Sequence, residues 1–238
     1  RLLQHERERL ANLIDARVTT RKPAPYLLNK AYIRGVPFYV DERVIVPRSF
    51  IGELLLSDLF GADGGIVEDT NAIETALDLC TGSGALAIIA ARVFPYAQID
   101  AVELSGDAAA VARRNIDESG FADRIELLQG DLFAPVKGRR YDLIITNPPY
   151  VDAEGMASLP PEFAHEPALA LGAGDDGLDV VKRILREARA HLTDNGGMIC
   201  EIGRCRPALE EAFPELPLVW LDTEASEGEV FFIRAQDL

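Results

Sequence analysis

Tyr141-Asp142-Leu143-Ile144-Ile145-Thr146-Asn147-Pro148-Pro149-Tyr150 is the stretch that decides how the chain folds. Its first six residues are rich in β-branched and aromatic side chains and too few for a helix, which predicts a buried strand. Two consecutive prolines then end ladder pairing and hold the backbone extended, so the strand stops at a stiff tip. Open α/β sheets place their ligands at that edge.

Outward from this strand, strand and helix alternate from Thr75 onward, the signature of a mostly parallel sheet. Strands are expected at Ala76–Leu79, Gln98–Leu104, Ile125–Leu128, Tyr141–Thr146 and Gly197–Glu201. Helices are expected at Ala85–Val93, Asp107–Glu118, Leu178–Leu192 and Arg206–Phe213. Leu218–Leu221 and Glu229–Arg234 are two further strands with only a short acidic turn between them. The expected fold is therefore α/β and Rossmann-like: a mostly parallel, twisted, seven-stranded sheet closed by a C-terminal antiparallel hairpin.

Upstream, Leu2–Val18 carries Leu3, Leu10, Leu13 and Ile14 among charges, which predicts a helix with one buried face, the last of a bundle preceding Arg1. Ala31–Val46 reads as a β-hairpin: Tyr32 and Ile33, a turn at Gly35, Phe38-Tyr39-Val40, polar Asp41-Glu42-Arg43, then Val44-Ile45-Val46. Pro47-Arg48-Ser49 ends it, Phe50–Phe60 resumes a helical period, and Gly61–Asn71 is a glycine-rich acidic loop. Asp152–Asp176 is long and rich in Pro, Gly and Ala, a length typical of lids and binding segments.

With 238 residues, 48% hydrophobic and 26% charged, the chain suits one full domain plus a small appendage. A net charge of −15 argues against direct DNA binding and suits a basic partner steered by the field. Cys80, Cys200 and Cys205 are odd in number and lack a Cys-x-x-Cys, which points to reduced thiols in a cytoplasmic protein. His5, His165 and His191 show no metal-ligand spacing, so no metal is expected. The longest apolar stretch, Ala85–Ala91, is too short to span a membrane.

A cofactor constellation lies at the strand ends. Asp78-Leu79-Cys80-Thr81-Gly82-Ser83-Gly84 follows one strand and opens a helix, and Gly82 and Gly84 let a ligand approach the backbone. Glu103 ends the next strand, where an acid accepts two ribose hydroxyls. Asp131 and Leu132 follow the third strand, placed to meet a base by hydrogen bonding and apolar contact. Together these residues fit an adenosine-containing ligand. Gly82-x-Gly84-x-x-Ala87 also fits the dinucleotide fingerprint, so the fourth strand discriminates. A nicotinamide enzyme needs a hydride-transfer site and an acid or base there, whereas Asn147-Pro148-Pro149-Tyr150 offers acceptors for an NH2 group.

That tip suits methylation of a planar amide or amino nitrogen. The Asn147 side-chain oxygen and the Pro148 carbonyl can accept both N–H bonds of an –NH2, aim its lone pair at an electrophilic methyl and stabilise developing positive charge. Tyr150 can stack on the flat substrate group, while Pro148 and Pro149 keep the acceptors from relaxing. S-adenosylmethionine accounts for both halves of the site.

These motifs resemble the HemK-like family of protein-glutamine methyltransferases: Asp78 to Gly84, then Glu103, then Asn147 to Tyr150, with Pro47-Arg48 after a hairpin. Pro25-Tyr26-Leu27, Phe38 to Val44, Val46 to Ser49, Gly52-Glu53-Leu54, Val151 to Glu154, Leu159-Pro160 and His165-Glu166-Pro167 are similar to the branch acting on ribosomal protein L three. The release-factor branch has a different hairpin exit and post-tip loop. Phe50 and Ala164 depart from the closer branch, which has Pro and Arg there. The resemblance implies a class I methyltransferase fold and S-adenosylmethionine held by Thr81, Gly82, Ser83, Gly84, Glu103, Leu132 and Asn147. It implies that Asn147, Pro148 and Tyr150 hold a glutamine amide, with Pro149 and Arg48 beside the substrate. It further implies a helical substrate-reading segment at 1–30, a β-hairpin linker at 31–47, and a catalytic domain at 48–238. Three rival functions share these features: methylation of a release-factor glutamine, methylation of an adenine exocyclic amine, disfavoured by the acidic charge, and non-catalytic cofactor binding during ribosome assembly.

Overall fold

The computed structural model describes residues 2–238. Helix α1 (Gln4–Thr20) and the short α2 (Ala24–Leu28) lead into β1 (Ala31–Ile33) and β2 (Val36–Phe38), an antiparallel pair turning at Arg34-Gly35. Then follow α3 (Phe50–Leu55), β3 (Thr75–Leu79), α4 (Ala85–Val93), β4 (Gln98–Glu103), α5 (Gly106–Ser119), β5 (Ile125–Gln129) and β6 (Tyr141–Thr146). The chain continues through α6 (Ala153–Ser158), α7 (Asp179–Ala188), β7 (Leu192–Glu201), α8 (Arg206–Ala212), β8 (Val219–Leu221) and β9 (Val230–Arg234).

The main sheet has seven strands in the order β5-β4-β3-β6-β7-β9-β8. Pairing is parallel from β5 to β7 and antiparallel at β9 and β8, as the alternation and the closing hairpin predict. Strand order reverses between β3 and β6, the switch point where such sheets open a crevice. Leu79 pairs with both Val102 and Thr146, so Cys80, Glu103 and Asn147 leave the sheet side by side.

Apolar burial follows the two faces. Ile51, Leu55, Ile89, Phe94, Ile99 and Ile145 pack one side, while Leu77, Ile144, Val181, Ile184, Met198 and Phe231 pack the other. Ala85 through Ala91 are all buried, which is why α4 is apolar all round.

Three expectations need correction. The hairpin stops at Phe38; Val44–Val46 is not a strand. Asp41 takes up the local donors, its carbonyl accepting from Val44 N and its Oδ1 from Arg43 N, while Val46 N donates to Glu166 Oε2. Val40, Val44 and Val46 still bury against α5, so their hydrophobicity reflects burial without a ladder. The stripe on α1 is not buried: Leu3, Leu10 and Ile14 are exposed, and Arg17 and Arg21 tether the region to Glu162. The helical period at Phe50–Phe60 covers only α3. Ser57 stops the helix by donating to Leu54 O, and Gly61 N pairs with Val67 O, folding the acidic loop back on itself.

Candidate active site

Beyond β3 the backbone turns sharply. Cys80 and Gly82 take left-handed conformations, with φ +57° and +56°, and Leu132 beyond β5 does so with φ +46°. For a non-glycine residue that conformation costs about 1 kcal/mol or more, and such strain clusters at binding sites. Asp78, expected at the ligand, is instead 1% exposed under the loop. Its Oδ2 accepts from Thr81 Oγ1 (2.5 Å) and Ala87 N (2.9 Å), so it braces the turn from behind. Its Oδ1 has no partner among the described residues, and burial pushes the acid up to about 7. Gly84 starts α4 in a left-handed cap against Ala112. Buried Ser83 offers its carbonyl to Asn115 Nδ2.

Two cavities open at the strand ends. The larger, about 400 Å³, is lined by Cys80, Gly82, Glu103, Leu104, Asp131 and Leu132, with Leu169 from the 152–176 segment across it. Glu103 accepts from Gly82 N (2.8 Å) and Ser105 N (2.9 Å), which leaves carboxylate lone pairs for further donors. Asp131 is paired with Arg183 of α7 at 2.7 Å, a partner no sequence signal announced. The Cys80 thiol is pushed up by burial and by Glu103, Asp78 and Asp131, so it lines the cleft as a neutral group.

The smaller cavity, about 290 Å³, is lined by Arg48, Thr81, Ser83, Pro148, Tyr150 and Phe163 among others. Pro149 faces the larger cavity, and Cys80, Gly82 and Asn147 face both. Asn147 Nδ2 donates to the Arg48 carbonyl at a long 3.4 Å, while its Oδ1 takes no hydrogen bond from the described residues. Arg48, expected to meet substrate, is already engaged. Its guanidinium reaches both oxygens of Glu166 at 2.7 and 3.2 Å and lies over the Phe163 ring.

Sequence reasoning missed several side chains that hold this arrangement. Glu166 has a fully buried carboxylate that clips the 152–176 segment to Val46 and Arg48. That segment is ordered by α6 and by 3-10 turns at Pro161–His165 and Ala168–Ala170. Asn115, also buried, bonds Tyr39 on both backbone atoms and Ser83 O, tying the hairpin exit to the glycine loop. Glu201 ends β7 beneath the tip; an acid closing an apolar strand was a usable signal, since the same one singled out Glu103. His165 lines the larger cleft and meets Thr20 O at 2.9 Å, a contact that joins α1 to the 152–176 segment.

A Rossmann-like sheet with a glycine turn, a strand-end acid and a proline-braced amide at its switch point defines a methyltransferase. Residues 65–174 match the family model described as Methyltransferase small domain. The chain belongs to the ribosomal protein uL3 glutamine methyltransferase family. It is 64% identical to a member from Bradyrhizobium diazoefficiens, matched over 100% of this chain and 75% of that protein. It is 51% identical to another from Burkholderia pseudomallei, over 100% of this chain and 78% of that protein. The fold is also that of the hMettl16 catalytic domain solved with the MAT2A 3'UTR hairpin 6, at TM-score 0.60 and 15% identity, covering 98% of this chain and 82% of that one.

Proposed function

We propose that the chain moves a methyl group from S-adenosylmethionine to the side-chain amide nitrogen of a glutamine in ribosomal protein uL3. The observation that carries this reading is the setting of Asn147. Its donor end is tied to the Arg48 carbonyl, its acceptor oxygen takes no hydrogen bond from the described residues, and the residue lines both cavities.

The larger cleft fits the cofactor by its donors and shape: free lone pairs on Glu103 for ribose hydroxyls, Leu104 and Leu132 as apolar walls for a base, and Gly82 for close approach. Thr81, Ser83 and Gly84 shape this turn, with Asp78 as its brace. When bound, S-adenosylmethionine supplies an electrophilic methyl on a sulfonium. Asn147 Oδ1 and the Pro148 carbonyl accept the two amide N–H bonds, and Tyr150 fixes the plane of the amide, while Pro149, expected at the substrate, lies on the wall of the larger cavity. Held this way, the nitrogen would face the methyl donor, and these two oxygens would stabilise the positive charge it gains on methylation. The surplus proton then leaves to solvent. Residues 48–238 act as the catalytic unit and 31–47 as the linker, while the exposed stripe of α1 supports assigning 1–30 to substrate reading. A net charge of −15 suits a basic ribosomal protein met in the cytoplasm. No helix among the described residues is long and apolar enough to cross a membrane.

The test offers labelled cofactor to purified uL3, release factors and DNA, then maps the modified residue. A methylated glutamine in uL3 is expected. Label on adenine, on a release factor alone, or nowhere refutes the assignment.

A further inference from the structure

We propose that Glu201 is a positioning residue that holds Tyr150 and the Arg48–Phe50 segment in one arrangement around Asn147. The inference rests on the methyl-transfer reading above and assigns a role to a side chain outside both cavities.

Glu201 is 1% exposed at the end of β7, beside the strand that carries the tip. Its Oε2 accepts from Ser49 Oγ at 2.7 Å and from Phe50 N at 2.9 Å, and its Oε1 accepts from Tyr150 OH at 3.3 Å. Arg48, next to Ser49, offers the carbonyl that receives Asn147 Nδ2. The contacts close a ring: Asn147 to Arg48, along the chain to Ser49 and Phe50, through Glu201 to Tyr150, and back along the tip. Gly203 seats the Tyr150 ring from below, since a Cβ there would lie 2.6 Å from Tyr150 Cε2.

Three groups converge on this side chain as donors: the backbone N–H of Phe50, which can only donate, and the hydroxyls of Ser49 and Tyr150. A carboxylate accepts from all three at once, whereas a carboxamide of the same size keeps Ser49 and Phe50 on its oxygen and presents NH2 to the Tyr150 hydroxyl, which reverses that bond and turns the phenolic proton away. An apolar side chain would fill the space without the cost of burying a charge, so what the carboxylate adds is direction. Burial pushes Glu201 up to about 7, which brings its loss of acceptor character into the working pH range. The titratable or charged groups facing this corner are Tyr150 from the tip, Arg48 from the segment before α3, Glu229 before β9, and Cys200 within β7.

The test uses the whole purified chain, labelled S-adenosylmethionine and uL3, with wild type, Glu201→Gln, Tyr150→Phe and the double variant. Each single change is expected to lower kcat about tenfold with cofactor KM within about twofold, and the double to be no worse than either, because one reverses and the other removes the same Tyr150–Glu201 link. Wild-type turnover should fall as the pH drops below about 7, and Glu201→Gln should flatten that limb. Wild-type kcat in Glu201→Gln, multiplicative losses in the double, or a loss confined to cofactor KM overturns the proposal. If Glu201→Gln does not fold, Tyr150→Phe decides: lower kcat with unchanged cofactor KM supports the role, and unchanged kcat ends it. A wild-type chain that moves no methyl at all refutes the underlying reading and this inference together.

Discussion

Replacing Glu166 with alanine should unlatch the 152–176 segment from the larger cleft at a measurable cost in stability. The carboxylate is fully buried and receives Val46 N at 3.0 Å and two Arg48 nitrogens at 2.7 and 3.2 Å. Without it, the N–H of buried Val46 loses its partner, which costs about 1–3 kcal/mol. The Arg48 side chain is 48% exposed and regains water, so the lost ion pair adds about 1 kcal/mol or less. The sum is about 1–4 kcal/mol, or roughly 2–16 °C in Tm for a chain of this size. Glu162→Ala is the control: its partners Arg17 and Arg21 are 37% and 56% exposed, and its loss should cost about 1 kcal/mol or less. Thermal melting of both variants, with limited proteolysis across 152–176, makes the comparison. A Glu166→Ala melt within about 2 °C of wild type, or a Glu162→Ala shift as large, would refute the latch.

Asn147→Asp should lower kcat by about a hundredfold, because a carboxylate cannot donate to the Arg48 carbonyl and turns away from the amide; unchanged turnover in a steady-state assay contradicts the role. Gly203→Ala, at φ +52° and against the Tyr150 ring, should cost about 1–3 kcal/mol in a denaturant titration and reduce turnover; a neutral result means the ring is free to move. Asp78 and Glu201 are raised from 3.8 and 4.5 to about 7, so the folded state holds protons that the unfolded state has released. Stability therefore falls as pH rises from about 4.5 to about 7, by roughly 1.4 kcal/mol per pH unit per group. Asp78→Asn should halve that slope in melts taken across the window, and an unchanged slope shows that Asp78 is ionised in the fold.

The parallel sheet, its closing hairpin and the crevice at the strand ends were legible in the sequence, because strand and helix periodicities are local and proline and glycine act on their own backbone. Asn147, Glu103 and the glycine turn were legible for the same reason: each follows directly on a recognisable strand. What the sequence could not show is which distant group each side chain meets. Asp78 sits in the same motif as Gly82, yet the packing of α4 turns it to brace the loop instead of lining it. Val44–Val46 has a strand's composition, but its hydrogen bonds go to Asp41 and Glu166. Arg48 carried the mark of a substrate contact, and only the fold of the 152–176 segment, 118 residues away in sequence at Glu166, shows its charge already matched. Local sequence determines where the chain turns and which faces are apolar. The partners of a buried charge are chosen by tertiary contact, since desolvation forces it to bond whatever the fold brings within reach.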